Sequence, residues 1–191
     1  MVRHQSASLL PVMVDPVEGC LYFLLAKERY HASWPAGSHL WSHFGGQAVD
    51  ELETTEHVAA REFMEETLGQ VPFFLDTATT IDTIETSLQN KEYVLQVTHL
   101  YKEKQFVTYV VQIPWDPSVV DKFHQARHRP EAADLDLCFL EKSHIQLFSL
   151  TQALRSVHHQ GYLTPNERCS AAFKHMLEYI LVELFFYFKL R

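Results

Sequence analysis

The sequence predicts one mixed domain, α/β or α+β in class, and three observations carry that expectation. Apolar runs rich in β-branched and aromatic residues recur at 9–14, 20–27, 40–44, 71–75, 93–101 and 106–113, each bounded by turn or polar residues. Between them, the stretch 54–69 sets Val58, Ala59, Ala60 and Phe63 along one side, as an amphipathic helix does. At 191 residues and 47% hydrophobic composition, the chain can bury one complete core and is too short to need two.

In order, runs 9–14 and 20–27 flank Asp15-Pro16-Val17-Glu18-Gly19, a hairpin signal. A loop around Trp34-Pro35-Ala36-Gly37 leads to a strand over 40–44 that feeds the pair Gly45-Gly46. Thr54 and Thr55 are good N-caps, and Gly69 is suited to end the following helix in a left-handed conformation. Lys102-Glu103-Lys104-Gln105 reads as the turn between the two later strands. Pro114 and Pro117 stop the second of these, because proline cannot donate to a ladder. Residues 118–136 read as a polar insertion on the rim, with a short helix over 119–123. The alternation Ile145-x-Leu147-Phe148 is a strand, and Ser149 or Thr151 caps a helix over 152–158. From 165 to 190 the pattern predicts one long helix with Ala171, Ala172, Leu177, Ile180, Leu181 and Leu184 inside. Its aromatic end, Phe185 to Phe188, calls for burial on more than one side, across the domain or in a homodimer.

Charge narrows the function. With 24 acidic against 16 basic residues, a net charge of −8 argues against a protein that grips long nucleic acid by neutralising phosphates. It leaves open a nucleotide held through a metal. Cys20, Cys138 and Cys169 are scattered, outside any zinc spacing, and read as reduced thiols of a cytoplasmic (intracellular) protein. The apolar segment 179–190 is broken by Glu183 and Lys189 and is too short to span a bilayer, so no membrane partner is expected. The N-terminus lacks the basic-then-apolar layout of a signal peptide.

The chemistry concentrates in the helix after the double glycine. Glu62, Glu65 and Glu66 lie three and four residues apart, on one helix face. Such clustering is destabilising unless a cation sits among the acids, and hard carboxylate donors suit Mg2+ or Mn2+. A solvated acidic face is the plainer account of three glutamates alone. Arg61 can reach back to Glu53 or Glu51 and pin the preceding loop by a forked ion pair.

Together, Glu53-x7-Arg61-Glu62-Phe63-x-Glu65-Glu66 resembles the Nudix hydrolase signature G-x5-E-x7-R-E-U-x-E-E-x-G-U, where U is aliphatic. Two positions depart from it. Six residues rather than five separate Gly46 from Glu53, and the closing glycine is displaced by one, to Gly69, which predicts a slightly longer helix. The aromatic approach Trp41-x-x-Phe44-Gly45-Gly46 also resembles that family. The resemblance covers roughly 9–155 and implies a Nudix α/β/α sandwich with a mixed sheet, with the C-terminal helix outside it. It further implies hydrolysis of a pyrophosphate linkage in a nucleoside diphosphate joined to another moiety, dependent on Mg2+ or Mn2+. In that reading Glu62, Glu65 and Glu66 hold metal, while Arg61 and Glu53 organise them. An acid from a later loop completes the site, with Glu141 the candidate and Glu131 and Asp134 behind it. Gly45 and Gly46 approach the substrate, and Trp41 and Phe44 either pack on a base or belong to the core. A surface glutamate is the alternative for Glu141.

Small nucleotides are the favoured substrates, since no basic tract near the box suits an inositol phosphate or a long RNA. An RNA 5′ end or cap is the alternative substrate, and an inactive Nudix-like binding module the alternative function. His124 and His128 have helical metal-pair spacing but no third ligand, and read as a surface pair. Arg127, His128 and Arg129 form a basic patch, exposed or facing a phosphate.

Overall fold

In a computed structural model, residues 5–32, 35–101, 104–129 and 137–189 are described. Expectations placed on Trp34, Lys102, Glu103, Glu131 and Asp134, and on the side chains of Cys138, Phe186, Tyr187 and Phe188, lie outside them.

Strands β1 (Gln5–Val14) and β2 (Leu21–Glu28) form the expected hairpin. Asp15 Oδ1 accepts from the amides of Val17 and Glu18, and Gly19 adopts a left-handed φ of 65°. The expected strand over 40–44 is in fact two short pieces. β3 (Trp41–Ser42) pairs with β2, and β4 (Phe44–Gln47) crosses to pair antiparallel with β1. β5 (Leu95–Tyr101) and β6 (Lys104–Gln112) are antiparallel, and β6 lies parallel to β1. β7 (Lys142–Ser149) closes the other flank against β2. Parallel and antiparallel neighbours together make the sheet mixed, as expected.

Helices cover both faces. In β1, Ala7, Leu9 and Met13 face one core, with α1 (Thr55–Glu66) and α2 (Ile81–Gln89), while Leu10 and Val12 face a second, with α4 (Leu150–His158) and α5 (Ala171–Lys189). The fold is the α/β/α sandwich that the signature implies, with a C-terminal helix.

Several local expectations are corrected. Residues 71–75 make no strand; Val71 and Phe73 instead plug the α1-side core from an irregular segment. Helix α2 was not foreseen, although Thr80 and Thr83 form a capping box at its start. The rim insertion begins with α3 (Val119–Arg127), whose Val119 and Phe123 are fully buried in the α1-side core, so it belongs to the domain proper. The stretch from 165 is not helical at first: β8 (Tyr162–Thr164) and β9 (Glu167–Arg168) form a hairpin around Pro165-Asn166, and α5 follows. Leu177, Ile180, Leu181 and Leu184 are buried as expected, but Ala171 and Ala172 are exposed. So are Tyr179, Val182 and Phe185, a stripe of apolar residues open to solvent. No described helix is long and apolar enough to cross a membrane.

Candidate functional site

The acidic helix starts as its caps predict: Thr54 Oγ1 accepts from the amide of His57. Val58, Ala59, Ala60 and Phe63 are buried, which fixes the rotation of α1 and turns Arg61, Glu62 and Glu65 toward the surface. The helix does not run longer, as the displaced glycine suggested. It ends at Glu66, and the extra residue is absorbed by two successive left-handed residues, Leu68 (φ 55°) and Gly69 (φ 62°). The amide of Gly69 donates to the carbonyl of Met64.

Arg61 organises the group. Its Nε donates to Glu53 Oε1 at 2.8 Å, and Nη1 donates to Glu62 Oε1 at 2.9 Å and to Glu65 Oε2 at 3.4 Å. Nη2 meets the carbonyl of Gln47 at 3.1 Å. Glu53 in turn accepts from the amide of Val49 at 2.7 Å, so the longer loop is stitched shut. Glu53, not the exposed Glu51, takes the organising role. Burial opposes the charge on Arg61, but Glu53 and Glu62 outweigh it and hold the guanidinium above its ordinary range. For Glu62, burial raises the pKa; Arg61 works against the shift, and the charges of Glu65 and Glu141 add to it. Glu141 itself is exposed, just before β7.

Glu66 is not with the other two. Its carboxylate points into the domain, where Oε2 accepts from the amide of Gly45 at 2.9 Å and Oε1 lies 2.9 Å from Nζ of Lys142. Lys142 also contacts Glu28, which accepts from Ser42 Oγ at 2.8 Å. Burial would discharge Lys142, but Glu66 and Glu28 hold its pKa above the ordinary range. Burial pushes the Glu66 carboxyl up, and Glu28 adds to that shift against the pull of Lys142. Sequence reasoning missed Lys142 and Glu28. Lys142 pairs with Glu28 where the β2–β7 register shifts between Lys27 and Glu28, and no residue pattern announces it.

The double glycine makes no turn, because it lies within β4. Its lack of side chains serves close approach to the protein itself. A Cβ on Gly45 would press on Ser8 and the carbonyl of Ala7, and one on Gly46 would press on the Glu62 carboxylate. Trp41 and Phe44 are core residues and have no face free to stack on a base. Trp41 packs edge-on against Phe148 and donates to Glu167; Phe44 packs edge-on against Phe63. His124 turns its ring toward His144, with ring centres 5.2 Å apart, rather than toward the exposed His128.

An open cleft of about 470 Å3 runs along Val49, Leu52, Glu53, Thr54, His57 and Arg61. It borders the acidic group without being lined by Glu62 or Glu65. Among the described residues, no three acidic, histidine or cysteine side chains already converge as a metal site. The donor chemistry nevertheless fits a hard cation. Glu62 and Glu65 both reach one guanidinium nitrogen, the Glu141 charge registers at Glu62, and Mg2+ needs only one or two carboxylates beside water and phosphate.

No family model and no curated protein matches the chain. A solved MutT/Nudix family protein from Listeria innocua matches 100% of this chain and 99% of its own, with a TM-score of 0.56 at 18% identity. The Nudix domain of Shewanella oneidensis NrtR, solved with ADP ribose, matches 96% of this chain and 90% of its own, at 12% identity and TM-score 0.49. A C. elegans Ap4A hydrolase matches 95% and 97%, at 17% identity and TM-score 0.48. The likeness to the Listeria protein is one of fold.

Proposed function

We propose that this Nudix-fold chain is a metal-dependent hydrolase of a pyrophosphate linkage, acting on a nucleoside diphosphate joined to another moiety. The observation that supports it is the group on α1: Glu62 and Glu65 meet at Nη1 of Arg61, which Glu53 anchors from the far side. Glu62, Glu65 and Glu141 would hold Mg2+ or Mn2+, while Glu66 keeps α1 docked on the sheet. A divalent ion there would neutralise charge on the pyrophosphate and favour ionisation of a nearby water. Arg61 holds the two carboxylates together at Nη1, with Glu62 against Gly46 of β4. One of these carboxylates, or a carboxylate on a neighbouring loop, would take the proton from the attacking water. The test is release of phosphate or pyrophosphate from nucleoside triphosphates, dinucleoside polyphosphates, nucleotide sugars, 5′-capped or triphosphorylated RNA and diphosphoinositol phosphates. Glu65→Gln runs beside the wild type.

One observation favours a second reading, a Nudix-like binding module. The withdrawal of Glu66 onto Lys142 leaves two carboxylates of the box for a metal instead of three. Binding of nucleotides without turnover would support it. The exposed Tyr179, Val182 and Phe185 support the proposal of a homodimer through α5, which sedimentation of the full chain tests.

A further inference from the structure

The cleft beside the acidic group joins apolar side chains to an ordered polar floor. Val49 and Leu52 line it with 80% and 90% of their surface still exposed. Their loop is firmly tied. Asp50 Oδ1 accepts from the amides of Leu52 and Glu53, and Glu53 Oε2 accepts from the amide of Val49. The backbone thus holds two large apolar side chains out in water, where a ligand packed against them would regain the cost of their hydration.

The floor is built around His57. Its Nδ1 stands 2.7 Å from Glu85 Oε2 and donates to it, a carboxylate being an acceptor. Glu85 is itself held, its Oε1 accepting from Thr54 Oγ1 at 3.3 Å and from Gln89 Nε2 at 3.0 Å. That anchorage on α2 fixes the imidazole ring. Nε2, on the opposite side, lies 3.8 Å from Glu53 Oε1, beyond hydrogen-bond reach, and the side chain keeps 39% exposure. Asp50, Glu53 and Glu85 line the cleft against one guanidinium, that of Arg61. Such a lining repels a phosphoryl group and suits an uncharged ring whose amino groups donate.

The cleft also lies at the right place along α1. His57, Arg61 and Glu65 stand four residues apart on one stripe of the helix. At the helical rise per residue, Glu65 is about 12 Å along the axis from His57. An extended nucleoside diphosphate spans such a distance from its base to its outer phosphate. With the phosphates at Glu62 and Glu65, the base falls in the cleft, and Glu53 and Arg61 belong to both regions.

We propose that this cleft is the subsite for the nucleoside of the substrate, with Val49 and Leu52 packing on the base and the His57–Glu85 pair bonding its edge. The place of the phosphates rests on the hydrolase reading. The loop 49–54 and α2 then select the base, while the later turns of α1 hold the phosphates. At about 470 Å3 the cleft has the size of an ordinary small-molecule site.

The test titrates the full chain, in Mg2+, with the α,β-methylene analogues of ADP, GDP, CDP and UDP. Methylenediphosphonate, which carries the bridged phosphorus pair and no nucleoside, runs beside them. Calorimetry should show the wild type binding at least one nucleotide analogue about tenfold or more tightly than methylenediphosphonate. The double variant Val49→Ser, Leu52→Ser should lose about tenfold for that analogue, and His57→Leu a similar factor. Neither should change the affinity for methylenediphosphonate. Val17→Ser, which alters an equally exposed apolar residue in the β1–β2 turn, is the control and should change nothing. Val49 and Leu52 are exposed, so their replacement should leave Tm unchanged, and they carry the test if His57→Leu lowers it. Equal wild-type affinity for nucleotide analogues and methylenediphosphonate, no binding of any probe, or nucleotide affinity indifferent to the cleft variants would overturn the subsite. The two readings fail separately. Turnover that Glu65→Gln abolishes, with nucleotide affinity indifferent to the cleft, sinks the subsite and leaves the hydrolase. Nucleotide binding that depends on Leu52 and His57, with no substrate turned over, sinks the hydrolase and leaves the subsite.

Discussion

The ammonium of Lys142 stands 2.9 Å from Oε1 of Glu66, and that buried oxygen has no hydrogen-bonding donor to fall back on. The pair ties β7 to the end of α1, while the other oxygen of Glu66 ties α1 to β4 through Gly45. Three elements that carry the acidic group are therefore clamped at one carboxylate. Removing the ammonium leaves Glu66 and Glu28 facing each other in the interior. Lys142→Met is expected to destabilise the fold by about 3–5 kcal/mol. Adding Glu66→Gln should restore part of that loss, and urea unfolding of the single and double variants measures it.

Glu65 and Glu66 are neighbours in sequence with opposite duties. Glu65→Gln should leave Tm within about 2 °C of the wild type, since its part-buried carboxylate makes only a long, 3.4 Å contact with Arg61. Its turnover should fall by about a hundredfold or more, as expected for a group that neutralises charge at the reacting centre. Glu66→Gln should instead lower Tm by several degrees, because it leaves Lys142 with one carboxylate of two. Calorimetric melting beside a turnover assay separates the two residues.

The two glycines should divide in the same way. At Gly45 an added Cβ meets backbone, with the carbonyl of Ala7 at 2.6 Å, so Gly45→Ala should destabilise by about 2 kcal/mol or more. At Gly46 the obstacle is the movable end of Glu62, with Oε2 at 2.7 Å. Gly46→Ala should fold nearly as well as the wild type and lose activity, because it displaces a carboxylate of the proposed metal site. Melting curves and turnover of both variants check the contrast.

His43 gives the fold a pH dependence. Burial pushes its imidazole pKa down to about 3, and Lys142 pushes in the same direction. Unfolded, the ring takes up a proton near 6.5, whereas folded it resists until about 3. The stabilisation is therefore complete above 6.5 and is lost as pH falls from there toward 3. The ring keeps some contact with solvent, so the loss is on the order of one or two kcal/mol rather than the full value of the shift. Replacing His43 with Asn should flatten that part of the stability–pH curve, as read by urea midpoints between pH 4 and 7.

Much of this was legible in the sequence. The spacing of Arg61, Glu62 and Glu65, with Glu53 eight residues before the arginine, is a local property of one helix and its leading loop, so the observed ion pairs followed from it. So did the hairpin at Asp15–Gly19 and the Ser149 cap, where side chains bond backbone a few residues away. What escaped depends on distant partners. Lys142 is buried opposite a register irregularity between Lys27 and Glu28, which no local residue pattern announces. Glu66 shares a helix face with Glu62, yet it lies at the last turn, where the amide of Gly45 donates to it and Lys142 meets its other oxygen. Trp41 and Phe44 carry an aromatic signature that suits either a base or a core, and only the two-sided sandwich decides for the core.

The central claim is that the Arg61-centred carboxylates form a hydrolytic site. The most direct measurement is release of phosphate or pyrophosphate from the nucleotide panel with Mg2+ or Mn2+, comparing wild type with Glu65→Gln. The account predicts turnover of one substrate class that requires the divalent ion and falls by about a hundredfold or more in the variant. Metal or nucleotide binding with no turnover of any substrate, in a wild-type protein that is folded by calorimetry, would contradict it.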